Sequence, residues 1–289
     1  MKAWLRAIRL HHWAKNALVF VPAVTAHALG DPATVFRCAL AFLAFSLAAS
    51  GTYLVNDVLD AESDRLHPTK HRRPVAAGEL TVPVALSSAA LLVGAAVAIG
   101  FTALPREVLV VLASYLVLTL WYSLRLKQRA VVDVLCLAAL YTLRVIAGSA
   151  ATGIELSFWL LAFSMLLFFS LATAKRATEL AGLGSDSARA TPGRGYTARD
   201  LPLLVMFGAA SAFASVLLFA LYLNARGEAL YSRPELLWLL CPALLYWVLR
   251  IWLKTYRQEL HEDPVVFALT DRPSMAVALG AALLVWLAI

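Results

Sequence analysis

The chain has 289 residues, of which 61% are hydrophobic and only 15% charged, and its mean hydropathy is +0.75. Such a composition excludes an ordinary soluble domain. The formal net charge of +7 comes without aromatic residues interleaved among the bases of a soluble module, so nothing points to nucleic acid as a partner.

Crossing ~30 Å of hydrocarbon takes about 20 mostly apolar residues in a helix, and only a helix or a closed barrel satisfies its backbone in lipid. Long unbroken apolar runs exclude the barrel. In chain order they fall at 16–34, 36–56, 81–104, 107–124, 131–152, 156–174, 200–224, 234–253 and 273–289. They predict an all-α integral membrane protein of about nine transmembrane helices, forming one domain over 1–289. Pro22 and His27 interrupt the first run, and the last is short. The basic start and the small residues of AVTAHA also fit a cleaved signal peptide, although eight further runs follow. Cys38, Cys136 and Cys241 lie in apolar runs without paired spacing and read as core residues.

Lys and Arg stay on the cytoplasmic side of a membrane protein. With the N-terminus inside, twenty of the 25 Lys and Arg fall in inner segments. Arg37, Arg106, Arg226 and Arg233 fall in outer segments, and Arg144 lies within a span. This bias predicts an inner-membrane protein with its N-terminus and active-site loops in the cytoplasm and its C-terminus outside.

The second span runs into VNDVLDAESDRLHPTKHRRP, residues 55–74. At about 100° per residue, a continuing helix puts Asp57, Asp60 and Asp64 within about 100° of Asn56. Glu62 lies off that face, at about 240°. Clustered carboxylates repel unless a cation sits among them, and oxygen-only ligands suit Mg²⁺, which keeps waters and takes one or two carboxylates plus substrate phosphates. Asn56, Asp57, Asp60 and Asp64 are therefore candidate metal ligands, and Arg65, Lys70, Arg72 and Arg73 candidate phosphate binders. A solvated acidic helix end, neutralised by the neighbouring bases, is the plainer alternative. His67 and His71 read as hydrogen-bond donors to phosphate, since no zinc spacing accompanies them.

Other polar positions are ambiguous. Lys15 and Asn16 open the first span, as substrate groups or with a snorkelling lysine. Arg144 lies about 20 Å into the fifth span on one face with Tyr141 and Gly148, and Asp133 is nearly in phase. It serves either a phosphate pocket or a buried pair with an acid. Tyr122 precedes the basic loop holding Lys127, which positive-inside anchoring also explains. Residues 181–197 read as a lid or a plain linker.

The pattern NDVLDAESD followed by RPVAAG resembles the first signature of the UbiA superfamily of intramembrane prenyltransferases. The resemblance implies a helical bundle with a central polar cavity open to the cytoplasmic side, in which Mg²⁺ binds the diphosphate of a polyprenyl donor. Most of that family has a second motif, D-x-x-x-D, after the sixth span. Here AKRATEL stands there, with Lys175, Arg176 and Glu179 at the spacing of Asn56, Asp57 and Asp60. Two bases replace acids, so a second carboxylate pair is missing, and Lys175 offers a point charge for anionic oxygen.

HHWAKN, the long NDV to AAG motif and the KRATEL helix end are similar to the decaprenyl-phosphate phosphoribosyltransferase branch. That branch implies a polyprenyl phosphate acceptor and Mg²⁺-bound phosphoribosyl diphosphate as donor. Asp57, Asp60, Lys175, Arg176 and Glu179 are then the catalytic candidates, with Lys15, Asn16, Asn56, Arg65, His67, Lys70, Arg72, Arg73, Tyr122, Lys127, Tyr141 and Arg144 around the substrates. The alternative is prenyl transfer from a polyprenyl diphosphate to a 4-hydroxybenzoate-like or other lipophilic acceptor. A transporter of a phosphorylated solute fits less well, because its polar groups would lie near the midplane. The D-x-x-D-G-x-x-A-R pattern of CDP-alcohol phosphotransferases is absent.

Overall fold

The computed structural model describes residues 2–66, 70–182, 194–260 and 263–289, and these are helical with short connections. The helices are α1 (Lys2–Ala7), α2 (Val21–Thr25), α3 (Pro32–Leu59), α4 (Ala61–Arg65), α5 (Val82–Ala103) and α6 (Arg106–Leu124) in the first part of the chain. They continue as α7 (Val132–Thr152), α8 (Phe158–Ala181), α9 (Leu201–Leu230), α10 (Leu240–Tyr256), α11 (Pro264–Thr270) and α12 (Arg272–Ala288).

Among the described residues seven helices are long and apolar enough to cross a membrane, which makes this an integral membrane protein. These seven correspond to the second through eighth predicted runs. The first run differs because it is not one helix: Leu10–Phe20 winds as a 3₁₀ helix, α2 adds one turn, and left-handed residues at Arg9 (φ 53°) and His27 (φ 54°) bound the stretch. The last run forms α12, an apolar helix of 17 residues, shorter than the usual spanning length.

Sequence dictates where several helices start. Asp31 accepts from the N–H groups of Ala33 (3.2 Å) and Thr34 (3.0 Å), with Pro32 at the first helical position of α3. Asp263 before Pro264 does the same for α11 through Val265 N–H (3.2 Å), and Asp271 for α12 through Ser274 N–H (3.0 Å). Pro105 separates α5 from α6, as expected of a residue with no N–H to donate.

The chain forms two compact units, residues 1–123 with 143–155, and residues 124–142 with 156–289. In the first, α3 packs on α5 and on the 3₁₀ segment. A Cβ on Gly148 would stand 1.9 Å from the Val19 carbonyl oxygen, so only glycine admits that backbone approach. In the second, α8 packs along α9, and α10 contacts α8, α9 and α12. Trp252 Nε1 donates to Ser170 Oγ (2.9 Å), and Gly208 leaves room for the indole, whose Cζ2 would lie 2.0 Å from an added Cβ.

Candidate functional site

The acidic stretch lies in the first unit. Asp57 is in the last turn of α3, Asp60 caps that helix, and Asp64 is in α4. Asp60 N–H donates to Asn56 O (2.9 Å) and Asp64 N–H to Asp60 O (2.8 Å), so the i to i−4 ladder continues across the short break. The predicted stripe resolves into two couples. Asn56 Nδ2 donates to Asp60 Oδ2 (3.0 Å). Asp57 and Asp64, about 20° apart around a helix, share Arg73, whose Nη1 is 3.3 Å from Asp57 Oδ1 and 2.7 Å from Asp64 Oδ2.

Asp57 is 1% exposed, and Arg9 also pairs with its Oδ1. Arg9 reaches it from the left-handed break after α1, with its guanidinium 4.9 Å above the Tyr53 ring. Two bases thus offset the repulsion between two buried acids.

The Asp57 Oδ2 atom is buried and accepts no hydrogen bond. An orphaned carboxylate oxygen is costly to bury, and a cation would relieve it. Among the described residues no three His, Cys, Asp or Glu side chains group as a metal cage. Mg²⁺ needs no such cage, because one or two carboxylates, waters and substrate phosphate complete its shell. The residues present therefore fit Mg²⁺: Asp57 offers the orphaned oxygen, and Asp60 and Asp64 follow it on the same helical stretch. A cavity of about 310 Å³ opens against Asp57, and Lys70, Arg72 and Arg73 contribute to its lining.

The remaining predicted residues of this unit have other surroundings. Arg65 is exposed, and its Nε donates to Ala76 O (3.4 Å), tying α4 to the turn after the basic stretch. His67 lies outside the described residues. Lys15 and Asn16 are buried in the 3₁₀ segment. Asn16 donates to Ser46 Oγ (2.9 Å) and accepts from Arg144 Nε (2.7 Å). Arg144, 5% exposed, also donates from Nη2 to the Tyr115 hydroxyl (3.2 Å) and sits 4.9 Å over that ring. Tyr122 is half-buried near the end of α6.

In the second unit, the last turns of α8 carry the altered motif. Arg176 is 2% exposed and engages both oxygens of Asp133, from Nε and, at 3.0 Å, from Nη2. Its Nη1 holds Glu179. Arg194 adds a contact at 3.7 Å to Asp133 Oδ1. Lys175 goes elsewhere: its Nζ is 3.0 Å from Asp263 Oδ2, while the Tyr141 hydroxyl donates to Asp263 Oδ1 (2.9 Å). Lys127 is half-buried in the turn between α6 and α7.

Tyr141 and Arg144 are therefore near neighbours on α7 with different partners, one serving Asp263 and the other Asn16 and Tyr115. Sequence reasoning missed Arg9, Tyr115 and Asp263, and it related Asp133 to Arg144 where the structure pairs it with Arg176. The Asp-Pro helix start at 263–264 was a readable signal for one of them.

The fold is that of a solved UbiA homolog from Archaeoglobus fulgidus bound to GPP and Mg²⁺, with a TM-score of 0.75, 17% identity, and coverage of 98% of this chain and 99% of that one. In sequence, the chain is 42% identical to the Sinorhizobium fredii protein y4nM over 95% of its own length but spans only 53% of that protein. It is 33% identical to the nodulation protein NoeC of Azorhizobium caulinodans, over 97% of this chain and 91% of NoeC. It is 37% identical to the decaprenyl-phosphate phosphoribosyltransferase of Corynebacterium glutamicum, over 61% of this chain and 54% of that enzyme. Residues 17–279 match the UbiA prenyltransferase family, and the chain belongs to that family.

Proposed function

We propose that the protein transfers 5-phosphoribose from phosphoribosyl diphosphate to a polyprenyl phosphate and releases pyrophosphate. The observation that carries this reading is Arg176, buried and clamped between Asp133 and Glu179 where a prenyl-diphosphate enzyme of the family would offer a second acidic pair. The likeness to the Corynebacterium glutamicum enzyme supports it.

Bound Mg²⁺ would supply charge neutralisation for the donor diphosphate. Asp57, Asp60 and Asp64 would hold it, and Lys70, Arg72 and Arg73 bind diphosphate oxygens beside it. An acceptor phosphate oxygen attacks C1 of the ribose, the C1–O bond to the diphosphate breaks, and its electron pair leaves with pyrophosphate. No covalent enzyme intermediate is needed, so catalysis is positioning plus electrostatics. Lys175, a third exposed, is assigned to the acceptor phosphate, and Arg176 and Glu179 set the helix end that presents it. The twenty-to-four bias of bases supports an orientation with the N-terminus and basic loops on the cytoplasmic side of a bacterial inner membrane.

Membership of the UbiA prenyltransferase family favours one second reading, transfer from a polyprenyl diphosphate to an aromatic acceptor. Purified protein with Mg²⁺ is offered polyprenyl phosphate and phosphoribosyl diphosphate in one mixture, and polyprenyl diphosphate and 4-hydroxybenzoate in another. Pyrophosphate release in the first alone is the expected result, and release in the second alone overturns the proposal.

A further inference from the structure

The cavity at Asp57 has two walls from distant parts of the sequence. One is the basic stretch Lys70 to Arg73, already assigned to the diphosphate. The other is N-terminal: Arg6 from α1, Arg9 at the left-handed break, and His11 and His12 from the turns that follow. No step of the proposed transfer uses this second wall.

Its chemistry is one-sided. Among the described residues, five Lys or Arg and two imidazoles line the cavity against the one carboxylate of Asp57. Arg9 and Arg73 are engaged by Asp57, and Arg6 pairs with Glu79 at the rim. Arg72 is exposed, and among the described residues no acid pairs with it. A metal-bound diphosphate answers the basic stretch and leaves the N-terminal donors facing the same space. Among the described residues Pro74 is the one lining residue with an apolar side chain, and a lining of charged groups and imidazoles suits a hydrophilic phosphorylated ligand better than an isoprenoid tail.

We propose that Arg9, His11 and His12, with Arg6 at the rim, form a second phosphate subsite in this cavity, which takes the far phosphate of a hydrophilic donor phosphorylated at two positions. The subsite rests on the reading of Asp57 as the metal-diphosphate position. It assigns donor choice to the N-terminal segment: inorganic pyrophosphate uses one wall, whereas phosphoribosyl diphosphate uses both.

Calorimetric titration of the full-length protein in detergent with Mg²⁺ tests it, using phosphoribosyl diphosphate, inorganic pyrophosphate and geranyl diphosphate as probes. The wild type should bind phosphoribosyl diphosphate about tenfold or more tighter than pyrophosphate, the scale of one added charged hydrogen bond. The double variant Arg6→Gln/His11→Gln alters two exposed side chains and should remove that advantage while leaving pyrophosphate affinity within about twofold. The single variant His11→Gln should remove part of it. An equal fall for both ligands would mean general electrostatics and no subsite. No fall for either would make these bases surface anchors, and in both cases the subsite is overturned while the phosphoribosyl reading stands. If geranyl diphosphate binds more tightly than phosphoribosyl diphosphate, the functional reading itself fails and the subsite falls with it.

Discussion

Lys175 Nζ stands 3.0 Å from Asp263 Oδ2, so the base at the end of α8 is matched by an acid 88 residues further along the chain. The pair is asymmetric, since the lysine side chain is 33% exposed and the aspartate 4%. Removing either member therefore has different consequences. Lys175→Ala leaves Asp263 with the Tyr141 hydroxyl and Val265 N–H, and should lower stability by only about 1–2 kcal/mol. Lys175→Asp sets two acids against each other and should lower the melting temperature much further. If Lys175 also reads the acceptor phosphate, Lys175→Ala weakens binding of a polyprenyl phosphate by about 1.5–3 kcal/mol. Unchanged affinity in a folded Lys175→Ala protein would remove Lys175 from the acceptor site.

Asp57→Asn should abolish Mg²⁺-dependent turnover, with a loss of about 100-fold or more, at small cost in stability. The shape of the side chain is kept, and Arg9 and Arg73, whose side chains are 18% and 24% exposed, can take up water. Asp60→Asn, which disturbs the Asn56 couple, should instead raise the Mg²⁺ concentration needed for half-maximal rate. Turnover measured across a Mg²⁺ titration separates the two. Full activity in Asp57→Asn would end the assignment of that carboxylate to the metal.

The fold class and the position of the acidic stretch were readable because both depend on local pattern. Apolar runs of spanning length become helices in lipid, and residues 56–64 keep helical phase across the break at Asp60. The ion pairs were not readable. Asp133 lies eleven residues before Arg144 and nearly in phase with it, yet its partner is Arg176, 43 residues away, a pairing across two helices that no spacing along α7 announces. The 3₁₀ winding of Leu10–Phe20 was equally hidden. Apolar content does not distinguish it from an α-helix, and the left-handed residue at Arg9 that aims its side chain at Asp57 carries no glycine signal.

Arg144→Leu should fold less stably and not merely turn over more slowly. The arginine donates to Asn16 Oδ1 and to the Tyr115 hydroxyl in a buried setting, so leucine strands both, at about 1–3 kcal/mol for each group left unsatisfied. Arg144→Lys restores one charged donor but not the planar fork, and should fall between the two. Thermal unfolding of the three proteins in one detergent checks the order. A Leu variant as stable as wild type would show that this network does not support the fold and would return Arg144 to the substrate pocket.

Asp271 gives a prediction about acid. Burial pushes its carboxyl up from the ordinary 3.8, but hydrogen bonds from Arg250 and from the hydroxyl and N–H of Ser274 outweigh that and hold it below the ordinary value. Arg250 meets it bidentately, at 2.6 and 3.0 Å. A folded carboxyl that holds its proton less tightly than the unfolded one stabilises the fold above the ordinary value, and the contribution disappears as pH falls through its own lower value. Asp271→Asn keeps a side-chain oxygen for the cap of α12 and removes the charge. The variant should melt below wild type near neutral pH, by an amount equivalent to about 0.2–1 kcal/mol for an ion pair this near the surface. That gap should close as both proteins are taken below about pH 4. Melting curves of the two proteins between neutral pH and pH 3 provide the measurement, and a gap that stays constant over that range would mean that Asp271 acts through its cap geometry and not through its charge.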